Sequence, residues 1–341
     1  MSSASPLSAA EATRRAAEAG IHTLRIPTPF AVGRVNTYLI EDDPLTLVDS
    51  GPNSGKALDE LQHQLAQHAR SIDDIELIVL THQHIDHLGL IDIIAGHSGA
   101  DVAAIDKVVH FVENFSKDAA KDDEFAARIM VRNGIPEDVV NALRTVSAAF
   151  RSWGARVTVT RPLRDGEALQ LRDRKLEALH RPGHSPSDTI FWDDERRILI
   201  AADHLIKHIS SNPLISRPLD SSEAEDARPR PLIAYLESLR KTRELPAEIV
   251  LSGHGEPITD HAALIDERLE FHDRRAEAIY DLIAERPRSG YELAQALFGN
   301  VAVTQAYLTL SEVLGHVDLL LGAGRVGERQ QNGIAIFETL G

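Results

Sequence analysis

The sequence contains no cysteine. Disulfides, thiolate metal ligands and a cysteine nucleophile are therefore excluded. Positive charge is scarce too: 36 Lys and Arg stand against 52 Asp and Glu, a formal net charge of −16. A field of that sign repels nucleic acid and anionic membrane surfaces, so non-specific attachment to either is disfavoured. No apolar run approaches the length that crosses a bilayer. Met1 to Gly20 is rich in Ala and Ser and charged through its second half, without the continuous apolar stretch of a secretory signal. These absences make the cytoplasm the expected location and leave membranes off the list of expected partners. Internal repeats and low-complexity tracts are also lacking.

What is present is ordinary globular composition. The 341 residues are 43% hydrophobic and 26% charged, enough for a large core and a second, smaller domain. The densest chemistry lies at Thr81-His82-Gln83-His84-Ile85-Asp86-His87-Leu88-Gly89. It follows the apolar run Ile75, Leu77, Ile78, Val79, Leu80, which reads as a buried strand, so the motif falls where a strand ends. A lone histidine is commonly a surface residue or a satisfied core residue. Three histidines and an aspartate within six positions call for a metal, because imidazole and carboxylate suit zinc and similar first-row ions.

Short strands are expected at Ile21–Ile26, Val35–Ile40, Leu45–Val48 and Asp101–Ile105, with helices over Gly55–Ala69 and Leu88–Ala95. Val108–Trp153 reads as two or three helices interrupting the strand pattern, either packing decoration or a lid over the metal. Strands are expected again at Arg156–Val159, Ala168–Gln170, Leu176–His180, Thr189–Trp192, Ile198–Ala201 and Glu248–Leu251. Leu205–Pro231 reads as a loop and Leu232–Arg243 as a helix. From His261 onward helices dominate, at Ala263–Ile283, Ser289–Leu297 and Gln305–Leu321, with Ser289 and Glu292 forming a capping box. A hairpin, Arg325–Arg329 and Ile334–Phe337, closes the chain around Asn332-Gly333. Three helices and a hairpin are the order of a winged helix. The expected division is a catalytic domain over residues 1–262, with a helical insertion at about 108–153, and a winged-helix-like domain over 263–341. His63, His68, His261 and His272 are expected at the surface. His204 is expected in a structural or ligand-supporting role, and Tyr280 and Tyr291 in a core or interface.

Metal-binding residue types follow five of the apolar strands: Asp49; His82, His84, Asp86 and His87; His184; Asp203; and His254. If those ends share one edge of a sheet assembly, the side chains converge. This pattern resembles the metallo-β-lactamase fold superfamily over roughly residues 21–260. The family's His-x-His-x-Asp-His is intact at His82, His84, Asp86 and His87, and its other motifs match Asp49, His184, Asp203 and His254 in order. The resemblance implies a four-layer αββα sandwich. It implies one metal on His82, His84 and His184, a second on Asp86, His87 and His254, and Asp203 as the bridge. Asp49 would orient a ligand by hydrogen bonding. Two zinc ions per chain are the implied cofactors, with Mn²⁺ or Fe²⁺ as alternatives that an all-His/Asp donor set accepts. A metal-bound hydroxide would attack, and Asp86 would steer its proton.

Departures from relatives narrow the activity. Antibiotic-hydrolysing members of one main class use a cysteine, absent here. The diiron oxygen reductases carry Glu where this chain has His84, and the large nucleases insert a whole domain before the last histidine, where only a loop and a helix fit between Asp203 and His254. What remains resembles the glyoxalase II branch, and the C-terminal module brings it close to the β-lactamase-like protein 2 type. The expectation is therefore a small-molecule thioester or ester hydrolase, with a single-stranded RNA endonuclease or a lactonase as the alternative. Residues 276–341 hold four arginines, no lysine and eight carboxylates, the reverse of a nucleic-acid-reading module. That module is expected to pack or to form a homodimer. Lys207 and His208, close after Asp203, are candidate substrate contacts.

Overall fold

The computed structural model describes residues 7–219 and 228–340. Helix α1 (Ala9–Glu18), capped by the Ser8 hydroxyl, leads into the antiparallel strands β1 (Ile21–Ile26), β2 (Val35–Ile40) and β3 (Thr46–Val48). Helix α2 (Gly55–Gln67) carries the chain across to β4 (Leu77–Val79), parallel to β3. The short α3 (Ile85–Leu88) and α4 (Ile91–Ser98) then lead to β5 (Asp101–Ile105). Helices α5 (Val109–Glu113), α6 (Phe115–Arg132) and α7 (Glu137–Phe150) intervene before β6 (Arg161–Leu163) completes a six-stranded sheet in the order β1-β2-β3-β4-β5-β6. The second sheet runs through β7 (Glu167–Gln170), β8 (Lys175–His180), β9 (Thr189–Asp193), β10 (Ile198–Ala202), helix α8 (Pro231–Arg243) and β11 (Ile249–Ser252), in the order β11-β10-β9-β8-β7.

The two sheets face each other across one apolar layer. Tyr38, Ile40, Val48, Leu77 and Val79 from the first meet Leu176, Ala178, Phe191, Ile198 and Leu251 from the second. The opposite face of the first sheet is covered by Ala57, Leu61 and Leu65 of α2 and by Ile91 and Ile94 of α4. The opposite face of the second is covered by Leu232, Tyr235, Leu236 and Leu239 of α8. This is an αββα sandwich. It explains why β2 and β10 are buried at every position: both faces of each strand are covered, so the in–out alternation of a half-exposed strand is lost, and β10 is apolar throughout.

The C-terminal part is helical, with α9 (His261–Glu285), the two-residue β12 (Arg288–Ser289), α10 (Gly290–Phe298), α11 (Val301–Thr304) and α12 (Ala306–Gly322). Strands β13 (Val326–Gln331) and β14 (Ile334–Thr339) follow, and β14 lies between β12 and β13. Ser289 caps α10 through the capping box with Glu292, and Asn332 and Gly333 both take positive φ, as a tight hairpin turn requires. Phe125, Ile129, Met130 and Val140 of α6 and α7 share one apolar core with α9, α10 and α12. The 108–153 insertion thus packs on the C-terminal helices. Helix α9 reaches both cores, through Ile265 on one side and Ile279 and Ile283 on the other.

Two expectations are corrected. Arg156–Val159 is not a strand. Val157 N donates to Val112 O, so this stretch docks the end of the insertion, and the edge strand forms at Arg161–Leu163, where Pro162 is tolerated. His261 and His272 are buried because they lie on the side of α9 that packs against its neighbours: α9 contacts α8 and α12, and His272 Nδ1 is 3.1 Å from His316 Nε2 of α12. Tyr280 and Tyr291 are half-buried against the C-terminal core.

Candidate metal centre

Asp49, immediately after β3, takes a left-handed φ of 58°, which turns its carboxylate back under the neighbouring strand end. It accepts hydrogen bonds from Thr81 N at 2.9 Å, Thr81 Oγ1 at 2.8 Å and His87 Nδ1 at 2.7 Å. The Thr81 hydroxyl, having given its proton to Asp49, accepts from His82 Nδ1 at 3.0 Å. His184 Nδ1 donates to Asn212 O at 3.2 Å, and His254 Nδ1 donates to Arg34 O at 2.9 Å. These partners fix the tautomers: each of the four rings keeps its Nδ1 proton occupied and turns Nε2 inward.

The inward atoms converge. His82 Nε2 and His184 Nε2 lie 3.1 and 3.0 Å from His84 Nδ1. His254 Nε2 lies 3.5 Å from Asp86 Oδ2 and 3.5 Å from Asp203 Oδ2, and His87 Nε2 is 3.5 Å from Asp203 Oδ1. Three groupings result, each with its ligand atoms within 4.8 Å of one another: His82, His84 and His184; His82, His87 and Asp203; Asp86, His87 and His254. All seven residues are buried or half-buried.

The donor chemistry fits divalent cations. His82 and His184 both aim lone pairs at His84 Nδ1, and one proton there cannot serve two acceptors well. His87 Nε2 and Asp203 Oδ1 are buried without a hydrogen-bond partner, a condition that costs about 1–3 kcal/mol per atom and that coordination removes. Electrostatics agree. Burial, reinforced by neighbouring histidines, pushes His82 well down and His84 down to about 3, so both rings are neutral with a free lone pair. Burial opposes charge on Asp203, but His254 and His87 outweigh it and hold the carboxyl well below its usual range. Burial likewise opposes protonation of His254, yet Asp203 and Asp86 raise it to about 10. Without a cation the carboxylates recruit protons, and protons and metal compete for the same atoms.

Two glycines make room for the cluster. A Cβ on Gly253 would sit 2.0 Å from Asp203 Oδ1. One on Gly183, just before His184, would sit 2.4 Å from Tyr235 Cβ. The remaining histidines of these segments stand apart. His204 is buried with Nε2 2.9 Å from Thr242 Oγ1, and His180 Nε2 lies 2.9 Å from Pro186 O. Lys207 turns outward to Glu256 at 3.4 Å. His208 is exposed but lies beside Gly255, whose added Cβ would be 2.8 Å from its ring.

Sequence reasoning missed several supporting groups. Thr81 and the Ser185–Asp188 turn, where Asp188 accepts from Ser185 N at 3.0 Å and Oγ at 2.8 Å, could have been read from their adjacency to His82 and His184. The carbonyls of Arg34 and Asn212 could not, since every residue offers one. An apolar patch also escaped notice. Phe30, Phe150 and Trp153 form a cluster with ring centroids 4.9–6.0 Å apart. Trp153 O accepts from Asn53 N, and a Cβ on Gly154 would lie 2.9 Å from Ile85 Cγ2, so the patch adjoins the turn carrying Asp86 and His87.

The sequence matches the Metallo-beta-lactamase superfamily over residues 31–254. The chain belongs to that superfamily. It is 33% identical over 322 residues to "Probable metallo-hydrolase YqjP" of Bacillus subtilis, an alignment covering 93% of this chain and 97% of that one. It is 30% identical over 131 residues to "Acyl-coenzyme A thioesterase MBLAC2" of Homo sapiens, covering 37% of this chain and 40% of the relative. Among solved structures, the metallo-beta-lactamase family protein TTHA1429 of Thermus thermophilus superposes with a TM-score of 0.78 at 28% identity, covering 94% of this chain and 99% of that one. The superfamily likeness therefore extends beyond residues 31–254 to nearly the whole chain.

Proposed function

We propose that this chain is a hydrolase that requires two divalent metal ions and cleaves thioesters or esters, in the manner of the glyoxalase II branch. The carrying observation is the convergence of five imidazoles and two carboxylates at strand ends of two facing sheets. His82, His84 and His184 would hold one ion and Asp86, His87 and His254 the other, with Asp203 between them. Zinc is the first choice, and manganese or iron suit the same donors. Such ions supply Lewis acidity toward an acyl carbonyl and make water acidic enough to attack near neutral pH. The chain's own residues do the positioning. Asp49 and Thr81 hold the tautomers of His87 and His82. Asp86 would take a proton of the attacking water as the new C–O bond forms. That proton passes to the leaving thiolate or alkoxide as the old C–S or C–O bond breaks.

Two further observations support an acyl substrate over RNA. The Phe30, Phe150 and Trp153 cluster offers an apolar surface beside the motif turn, suited to an acyl group, with the exposed His208 as the candidate polar contact. In the C-terminal part, Arg286 pairs with Glu292, Arg288 with Glu285, Arg325 with Glu277 and Arg329 with Glu338. That leaves no clustered cationic surface among those four for a phosphate backbone. Residues 1–262 then form the catalytic domain, and 263–341 a winged-helix-like packing domain. The test is a side-by-side panel of acyl-thioesters, esters, lactones and single-stranded RNA with metal-loaded protein. Thioester or ester hydrolysis that disappears in His84→Ala is expected. RNA cleavage lost in the same variant, with no acyl hydrolysis, would overturn the reading.

A further inference from the structure

Of the four histidines that carry a proton on Nδ1, three give it to a group anchored in the sheets or beside them: Thr81, Asp49, and the carbonyl of Arg34, which precedes β2. His184 is the exception. Its acceptor, Asn212 O, lies in a stretch without regular secondary structure over residues 205–219. A carbonyl can orient a ring only if it is itself held, so the question is what holds Asn212.

The answer lies in where this stretch sends its polar groups. Toward the metal centre, Ser211 Oγ donates to Asp203 O and Leu214 N donates to His184 O at 3.4 Å. Away from it, the partners of Asn212, Ile215 and Arg217 are on the C-terminal helices or the insertion. Asn212 Nδ2 donates to Leu308 O at 2.9 Å, in the first turn of α12. Ile215 N is 3.4 Å from Ser311 Oγ, and Tyr307 Oη donates to Ile215 O. Arg217 reaches Asp122 at 3.0 Å and Asp118 at 3.3 Å, both on α6. Burial alternates along Ser211–Ile215, and the Ile215 side chain, 1% exposed, sits in the apolar core built by α6, α10 and α12. The stretch is ordered by what it is tied to.

We infer that Ser211–Arg217 is a strap by which α12 and α6 hold His184 in the ligand cluster, and that Asn212 is its positioning residue. Its carbonyl fixes the Nδ1 proton of His184, and its side-chain amide fixes that carbonyl to α12. The inference rests on reading His184 as a metal ligand. It gives the C-terminal helices a role at the metal centre that needs no nucleic acid.

The experiment measures metal binding rather than turnover. Zinc affinity and stoichiometry are read by chelator competition on the full chain, and the visible spectrum is recorded on the cobalt-substituted protein. Asn212→Ala removes the amide and keeps the carbonyl; Tyr307→Phe removes one hydroxyl tether. Each is expected to weaken one of the two ions on the order of tenfold, as loss of support behind a ligand does, and to alter the cobalt spectrum. Arg132→Ala breaks a 2.8 Å contact to Glu328 between α6 and β13 without touching the strap, and is expected to bind as wild type. Unchanged affinity and spectrum in both strap variants would overturn the inference, as would equal weakening in Arg132→Ala. Because no substrate is involved, a failed substrate panel is distinguishable from a failed strap.

Discussion

Replacing Asp49 with Asn tests the reasoning about tautomers, since it changes one atom and almost no volume. The native carboxylate accepts three hydrogen bonds and donates none, from Thr81 N, Thr81 Oγ1 and His87 Nδ1. An amide in the same place has one acceptor oxygen. If that oxygen keeps Thr81 N, the NH₂ group faces Thr81 Oγ1 and His87 Nδ1. His87 is then driven to carry its proton on Nε2, the atom that points at Asp203 Oδ1. A protonated Nε2 cannot ligate. The Thr81 hydroxyl also loses the acceptor for its proton, which frees it to turn on His82 Nδ1 and weakens the second tautomer. Loss of such support behind a ligand costs about 10- to 100-fold in metal affinity, roughly 1.4–2.8 kcal/mol. Asp49 is 2% exposed, so water cannot readily substitute for the lost partner. Chelator competition with zinc, run on wild type and Asp49→Asn, reads the loss directly. Wild-type affinity in the variant would refute the claim that Asp49 sets the His87 tautomer.

Three other outcomes are expected. His84→Ala and Asp203→Ala should each lower hydrolysis by more than about a hundredfold, beyond the cost of losing an outer hydrogen bond, with far-UV circular dichroism unchanged. Gly253→Ala forces a methyl group against Asp203 Oδ1 and should destabilise the fold by about 1–3 kcal/mol and lower metal stoichiometry, read by urea melts and elemental analysis. Acid should destabilise the chain through His272 and His316, which stack with Nδ1 and Nε2 3.1 Å apart beside Arg268, Arg275 and Glu312. Burial lowers them to about 3 and about 4 from 6.5. The unfolded chain therefore binds more protons below pH 6.5, and stability present above it is lost as pH falls toward 4 and 3, by up to about 1.4 kcal/mol per unit per histidine. Urea melts from pH 7.5 to 5 should show a smaller loss in His316→Gln.

Much of the sandwich was legible because its central strands, β4 and β10 among them, are short apolar runs bounded by turn residues. Val35–Ile40 and Asp101–Ile105 form strands over the expected residues, and the run before His82 contains the expected buried strand, β4. Local pattern failed where tertiary contact overrides it. Arg156–Val159 has strand-forming residues, but Val157 is claimed by Val112 of the insertion. His261 and His272 look solvated on a helix that is polar overall, yet α8 and α12 cover them. The ligand types at strand ends were visible in one dimension. Their distances, the carbonyls behind His184 and His254, and the aromatic patch that joins Phe30 to Phe150 and Trp153 were not, because each depends on segments far apart in sequence.

The placement of the seven side chains says why the site needs the whole sandwich. His82, His84, Asp86 and His87 all follow β4, in the six-stranded sheet, whereas His184, Asp203 and His254 follow β8, β10 and β11, in the other. Each of the three ligand groupings takes two residues from the first sheet and one from the second. Neither sheet alone can present a complete set, so the apolar layer between them, with Tyr38, Phe191 and Leu251 fully buried, sets the spacing of the donors. Packing of the sheets and assembly of the site are one event. A cation bound there would tie the two sheets together across the end of that layer, and its binding free energy would add to the stability of the folded chain. Asp49 works within one half of that arrangement: its bonds to Thr81 and His87 run between β3 and the β4 loop in the first sheet, so it aligns the donors which that sheet contributes.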